Sequence, residues 1–385
     1  MSTQPALRAP VDRSAALDRL RGAALVAMLV HHLTEWLTGD ARAVLPGWDG
    51  FVVTDVAAIA FFVAAGASMA LFVASRRGRG MARWRVSAQV LRRYGLLVPI
   101  GLALDWVLWR NPAMFGVLEA LGACVVLGAA VVAIVPDRWL PAAAALTVVG
   151  GVAVERLVSG SGAWIAREVL AGKFPLLTYL GFVLIGAAAA RAGWYRDRRW
   201  VAAVALGLTA STVVMVVAGI EPDRYPGDVR FVLPGLAGTA IAYAAAQAPW
   251  QRWLAPLDRV VRRAAAHTLG IFVAHYVVYG ALRQAGLLGD VPGAAAVPIA
   301  VAVTVFACLI APRVPQLPWS LQTGVRAKGR APATGRPDPR PTPAAHGPGD
   351  AAPRPPEPGA AGRGPGARHP ATTASPAARG SGSVR

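Results

Sequence analysis

Two residues of the first apolar segment, Arg21 and His32, carry side chains that suit group-transfer chemistry. They are eleven residues apart, and eleven steps of about 100° return to nearly the same face of an α-helix. A rise of about 1.5 Å per residue places His32 about 16 Å beyond Arg21. Guanidinium binds phosphate in a forked geometry, and neutral imidazole accepts a proton. The spacing fits a substrate with phosphates at one membrane surface and a reactive end at the midplane, a shape that acyl-coenzyme A has.

The same helical face carries other ionisable groups. Its members are Asp18, Arg21, Leu25, Met28, His32 and Glu35. An ionised side chain inside a membrane helix costs about 3 kcal/mol on insertion scales, so such groups normally face the bundle interior. The plainer alternative is a hydrogen-bonded core histidine with an ordinary flanking arginine. His31 points about 100° away from His32, and the eleven-residue spacing selects His32.

The composition of the chain predicts a membrane protein. Hydrophobic residues make up 55% of it and charged residues 15%, against roughly 25% charged in soluble domains. A helix of about 20 apolar residues crosses the hydrocarbon layer. Ten candidate spans follow, at 22–38, 51–74, 90–109, 113–135, 139–158, 173–190, 200–219, 230–247, 266–287 and 294–312. We therefore predict an all-α polytopic membrane helix bundle with about ten transmembrane helices.

The basic residues predict the orientation of these spans. With the amino terminus inside, the inner segments hold 31 Lys and Arg and the outer loops hold eight, as the positive-inside rule requires. This alternation explains the net charge of +19, so no nucleic-acid partner is predicted. We expect a cytoplasmic segment at 1–21, a membrane domain at 22–312 and a disordered, basic, Pro/Gly/Ala-rich cytoplasmic tail at 313–385. The expected location is the plasma membrane.

Five segments in chain order resemble known membrane acyltransferases. Residues 17–22 with Met28 and His32 resemble the opening signature of the transmembrane acyltransferase superfamily, which includes the heparan-α-glucosaminide N-acetyltransferase-like and acyltransferase-3 proteins. The later segments resemble the N-acetyltransferase branch: Trp48-Asp49-Gly50 with Asp55 and residues 61–68, residues 116–122, Phe174-Pro175-Leu176-Leu177 with Gly186 and Arg191, and Thr268-Leu269 through His275. The resemblance covers about residues 13–312.

The resemblance implies transfer of an acyl group, with acetyl as the first candidate, from cytoplasmic acyl-coenzyme A. The acceptor would be a hydroxyl or amine of an extracytoplasmic glycan or small molecule. His32 would be the general base or a transient acyl carrier. His275 would face the same cavity, and the alternative is a core histidine bonded to a backbone carbonyl. Asp55 could orient the acceptor or a histidine, or be wetted at the membrane boundary. Arg21 with Asp18 would bind the phosphates. Arg92 and Arg93 could add to that site, but an orientation signal explains the same arginines and is the better default.

Departures from the family pattern keep two other functions open. Lysosomal-type members carry a loop histidine before the Trp48 position, whereas no histidine occurs between Gly39 and Gly50. Glu119 replaces a glutamine of the family, and we expect it to be wetted at the membrane boundary. A transporter or permease, or a non-catalytic family member, would share the same intramembrane ionisable residues. No zinc-type cluster, P-loop or Gly-x-Ser-x-Gly motif indicates a metal or nucleotide hydrolysis, and a homodimer is left open.

Overall fold

A computed structural model describes residues 15–48, 51–109, 115–160, 162–164, 166–223, 228–250, 254–289 and 291–311. Within these ranges the chain forms twelve α-helices: α1 (Ala15–Thr38), α2 (Val56–Gly78), α3 (Arg83–Val90), α4 (Leu97–Trp109), α5 (Val117–Ile134), α6 (Leu140–Val158), α7 (Leu176–Ala192), α8 (Arg198–Val217), α9 (Val229–Gln247), α10 (Ala255–Ala266), α11 (Thr268–Gln284) and α12 (Gly293–Ile310). Two short strands, β1 (Gly47–Trp48) and β2 (Phe51–Val52), pair antiparallel. The all-α class is confirmed. The predicted tail at 313–385 lies outside the described residues.

Each of the ten predicted spans coincides with one of these helices, but they differ in their capacity to cross a membrane. Among the described residues, six are long and apolar enough by themselves, namely α2, α5, α6, α8, α9 and α12. Helices α10 and α11 pass the same test together and are bent by 92°. Helices α4 and α7 have 13 and 17 residues. A straight span needs about 20 residues. A protein with several membrane spans is confirmed, and the total of ten stays a prediction.

Helix α1 lies at the centre of the bundle, where it packs against α2, α9, α10, α11 and α12. Gly22 makes this packing possible, because a Cβ at that position would lie 1.9 Å from the carbonyl oxygen of Val261 in α10. Arg19 fastens the same end of α1, donating to Asp258 at 2.8 Å and to the carbonyl of Ala246 at 3.1 Å. This packing buries His31 and Thr34 and partly buries the charged residues of α1, as ionisable groups in a membrane helix require.

A reciprocal glycine contact joins α2 to α7. A Cβ at Gly66 would lie 1.9 Å from the carbonyl oxygen of Val183, and a Cβ at Gly186 would lie 1.9 Å from that of Val63. Small residues let helix backbones approach closely, which is the usual source of attraction between membrane helices. The contact holds α2 in place, and the residues immediately before α2 contribute to the site described below.

Candidate functional site

His32 of α1 and His275 of α11 lie side by side in the bundle. The Nδ1 atom of His32 is 3.4 Å from Nε2 of His275, and the two rings stack with centroids 5.5 Å apart. Trp36, one turn beyond His32, stacks on both rings at centroid distances of 5.8 and 5.4 Å. His275 is 4% exposed. The structure thus brings together two of the three residues that the sequence predicts to be catalytic.

The hydrogen bonds of this pair are consistent with one arrangement of the ring protons. Nδ1 of His275 is bonded to the carbonyl oxygen of Phe272, which can only accept, so this nitrogen carries the hydrogen. In the neutral ring Nε2 of His275 is then the acceptor, and Nδ1 of His32 must donate to it. The lone pair of neutral His32 consequently belongs to its Nε2 atom. This arrangement suits a general base whose ring is oriented by a second group.

A cleft opens beside the histidine pair, between α4 and α11. Tyr276 forms part of its wall and contacts His275, with ring centroids 4.1 Å apart. The volume of the cleft is about 380 Å³ and its lining is mostly apolar: Leu104, Val107, Val273, Tyr276, Val277, Gly280, Ala281 and Gln284. A small molecule in this cleft would therefore be separated from the histidines by a single aromatic ring, that of Tyr276.

Arg21 lies where α10 ends and α11 begins. Its guanidinium donates to the carbonyl oxygen of Ala265 at 2.8 Å and forms an ion pair with Asp18 at 3.2 Å. The carbonyl belongs to the last turn of α10, directly before the 92° bend. Asp18 and Arg21 are therefore together, as the sequence predicts, and the backbone of a broken helix holds the guanidinium in one orientation.

Arg92 and Arg93 belong to a different part of the bundle. They lie in a π-helical segment, Leu91–Gly95, that packs against α3, α4 and α5. Arg92 is exposed, and the guanidinium of Arg93 lies 5.5 Å from the ring centroid of Tyr94. None of these three helices is among those that pack most closely on α1. A phosphate site shared with Arg21 would therefore need a substrate that reaches across the bundle.

Asp55 ends a 3₁₀ turn, Val53–Asp55, that leads into α2. Its carboxylate accepts the backbone N–H of Val52 at 2.8 Å. The acid thus helps to hold the short hairpin before α2. Its neighbour Thr54 makes a hydrogen bond to a histidine of α1.

That histidine is His31, which sequence reasoning set aside. It is 5% exposed. Its Nδ1 atom lies 2.7 Å from Oγ1 of Thr54, and its Nε2 atom lies 3.4 Å from the Glu35 carboxylate. The spacing of His31 and Glu35 by four residues, one helical turn, was a signal available in the sequence. The hydrogen bond to Thr54 was not, because it joins two separate elements.

The burial of Glu119 contradicts one expectation from the sequence. This residue was predicted to be wetted at the membrane boundary, but it is 1% exposed. The absence of a side chain at Gly101 makes room for it, since a Cβ there would lie 2.3 Å from the Glu119 carboxyl carbon. Asp105 is also buried and borders the same space beside Gly116. The wetted-boundary expectation is wrong because α4 covers this carboxyl group.

The chain matches a protein family. The family described as "Heparan-alpha-glucosaminide N-acetyltransferase, catalytic" matches residues 13–220, a segment that contains Arg21, His31, His32 and Thr54. No characterised protein matches the sequence significantly. The family match covers more than half of the chain and supports a membrane acetyltransferase-like function. The chain belongs to the heparan-α-glucosaminide N-acetyltransferase family.

Proposed function

We propose that this protein is an integral membrane acyltransferase that uses acyl-coenzyme A. It moves an acyl group, with acetyl as the first candidate, from the cytoplasmic side to a hydroxyl or amine on the opposite side. The acceptor is a glycan or a small molecule. The protein acts in the plasma membrane with both termini in the cytoplasm, the orientation that the distribution of basic residues favours.

The observation that carries this proposal is the ordered hydrogen-bond chain from Phe272 through His275 to His32. It leaves Nε2 of His32 as the basic atom of the pair. In the transfer step Nε2 removes the proton from the acceptor N–H or O–H as the acceptor attacks the acyl carbonyl. The tetrahedral intermediate collapses as the C–S bond of the donor breaks, and the departing thiolate of coenzyme A takes the proton that His32 holds. His275 acts as a positioning residue for this base.

Arg21 is the residue we assign to the phosphates of the donor. Its guanidinium is already oriented by Asp18 and by the carbonyl of Ala265, and an oriented fork loses less entropy when it binds phosphate. The about 16 Å that separate Arg21 from His32 along α1 leave room for a pantetheine arm. We assign Arg92 and Arg93 only a secondary role, as a surface for the nucleotide end of the donor, because they lie on a different helical segment from Arg21.

The test is acyl transfer by purified protein in detergent. Wild-type protein is incubated with radiolabelled acetyl-coenzyme A and a panel of amino sugars and neutral sugars, and labelled acceptor is separated and counted. We expect label on at least one acceptor with wild type and none with His32→Ala or His32→Gln. His267→Gln, a histidine outside the stacked pair, is the matched control and retains transfer. Size-exclusion profiles establish that each variant is folded. Full transfer by His32→Ala would refute the assignment.

One observation favours a second candidate, a transporter. The break between α10 and α11, where a charged residue bonds to a helix-end carbonyl, resembles the discontinuous helices from which transporters build substrate sites. Proteoliposomes distinguish the two functions. Uptake of a labelled metabolite without release of free coenzyme A would support transport, and stoichiometric release of coenzyme A would support acyl transfer. Neither activity would support a non-catalytic member of the family.

A further inference from the structure

Beside the His32–His275 pair, a second histidine connects a hydroxyl group to a carboxylate. Oγ1 of Thr54 is 2.7 Å from Nδ1 of His31, and the carboxylate of Glu35 is 3.4 Å from Nε2 of the same ring. The histidine is almost fully buried, while the Glu35 side chain is partly exposed. Hydroxyl, imidazole and carboxylate thus follow one another in the order that activates a nucleophile.

The bonds on the His31 ring are consistent with a single tautomer. The Glu35 carboxylate can only accept, so Nε2 of His31 carries the hydrogen in the neutral ring. Nδ1 then holds the lone pair, and the hydroxyl of Thr54 donates its hydrogen to it. The ring is therefore oriented to take the proton of Thr54, and the carboxylate is placed to stabilise the imidazolium ion that results.

One feature of the surroundings favours reaction at Thr54. The His31 and His32 rings are neighbours, with centroids 5.9 Å apart. An acyl group bound near one histidine is thus close to the other.

We propose that Thr54 is the nucleophile of a two-step transfer and carries the acyl group as an ester; this inference rests on the proposed function. Thr54 Oγ1 attacks the thioester carbonyl while its proton passes to Nδ1 of His31. The C–S bond breaks, and coenzyme A leaves as a thiol after taking that proton. The acceptor then attacks the threonine ester while its proton passes to His32. The C–O bond of the ester breaks, which releases the acylated acceptor, and the proton held by His32 passes to the Thr54 oxygen and restores the hydroxyl. Glu35 is a positioning residue.

The experiment traps the ester. Full-length protein in detergent is mixed with acetyl-coenzyme A without an acceptor, and the peptide that contains Thr54 is analysed by mass spectrometry. We expect one added acetyl group on Thr54 in wild type, none in Thr54→Val, and retention in Thr54→Ser. The ester should accumulate further in His32→Ala, because acylation proceeds in that variant and the second step does not. Thr147→Val, whose hydroxyl bonds within its own helix, is the matched control and behaves as wild type.

A second probe separates this inference from the proposed function. p-Nitrophenyl acetate is an activated ester that needs no coenzyme A site, and acylation of Thr54 would release nitrophenol in a burst that matches the enzyme concentration. Transfer by Thr54→Val at the wild-type rate, with no burst in wild type, overturns the Thr54 proposal and leaves the acyltransferase proposal intact. A Thr54-dependent burst in a protein that does not use acyl-coenzyme A would support Thr54 as a nucleophile and overturn the acyltransferase proposal.

The role of Glu35 is tested by its kinetic signature. Glu35→Gln should slow the acylation step at least tenfold while the KM for acetyl-coenzyme A stays within twofold of wild type, because the carboxylate stabilises the imidazolium and touches no substrate. A purely structural role would change both parameters or neither.

Discussion

The close approach of α2 and α7 at Gly66 leads to a prediction about stability. In Gly66→Ala the new methyl group would be placed 1.9 Å from the carbonyl oxygen of Val183, well inside the 3.5–4.0 Å or so at which carbon atoms pack. The obstacle is backbone, so it cannot rotate aside, and the helices must separate. Overpacking of this kind costs about 1–3 kcal/mol, while alanine returns about 1 kcal/mol through its helix propensity.

We therefore expect Gly66→Ala to lower the free energy of unfolding by about 2 kcal/mol, since contact with a carbonyl falls at the severe end of that range. Gly186→Ala should have a similar effect. The double variant should cost less than the sum, because separation of the helices relieves both contacts at once. The assay is denaturant titration of the purified protein in mixed micelles, followed by tryptophan fluorescence.

The control is Gly207→Ala on α8. No atom lies within 4 Å of the Cβ position there, so this substitution should be neutral or stabilising by up to about 1 kcal/mol. If Gly66→Ala and Gly207→Ala unfold at the same denaturant concentration, the reasoning about the α2–α7 contact is refuted.

Three further predictions concern single contacts. His275→Phe keeps an aromatic ring beside Trp36 but loses the nitrogen that accepts from His32, so transfer should slow about two- to tenfold, the worth of one neutral hydrogen bond, and an unchanged rate would contradict the positioning role. Asp258→Ala should cost about 2–3 kcal/mol, more than Arg19→Ala, because Asp258 also pairs with Arg262 at 2.7 Å and its loss leaves both arginines uncompensated; equal effects in thermal unfolding would argue against this. Burial opposes the ionisation of Asp228, but hydrogen bonds from Arg230 outweigh it and hold the Asp228 pKa below its usual value. The stabilisation is therefore present above the usual aspartate pKa and is lost as pH falls below it, so unfolding curves of Asp228→Asn should depend less on pH below about 4 than those of wild type.

The sequence contains enough information to predict the helices of this protein but not all of their lengths and bends. Apolar composition marks segments that face lipid, which is why all ten predicted spans coincide with helices. The amphipathic helix α10 was not predicted, because it is short and its Arg259, Arg262 and Arg263 lower its mean hydropathy. A hydropathy window cannot register such a helix, nor the bend of 92° that follows it.

The candidate site could likewise be predicted from the sequence only in part. Helical periodicity predicts that Asp18, Arg21 and His32 share a face of α1, and resemblance to the family predicts that His275 lies near His32. The contact between His31 and Thr54 depends on how the loop before α2 folds back on α1, which no spacing rule encodes. The burial of Glu119 depends on the missing side chain of Gly101 in another helix. Apart from the His32–His275 pair, which the family resemblance predicts, these contacts between elements could not be predicted from the sequence.

The most direct test of the account measures transfer across a membrane. Proteoliposomes are prepared with an acceptor amino sugar sealed inside, and labelled acetyl-coenzyme A is added outside. Wild-type protein should place label on the enclosed acceptor and release an equal amount of free coenzyme A outside, whereas His32→Ala should do neither. Labelled acceptor at the wild-type rate in His32→Ala vesicles would contradict the claim that the His32–His275 pair performs the transfer.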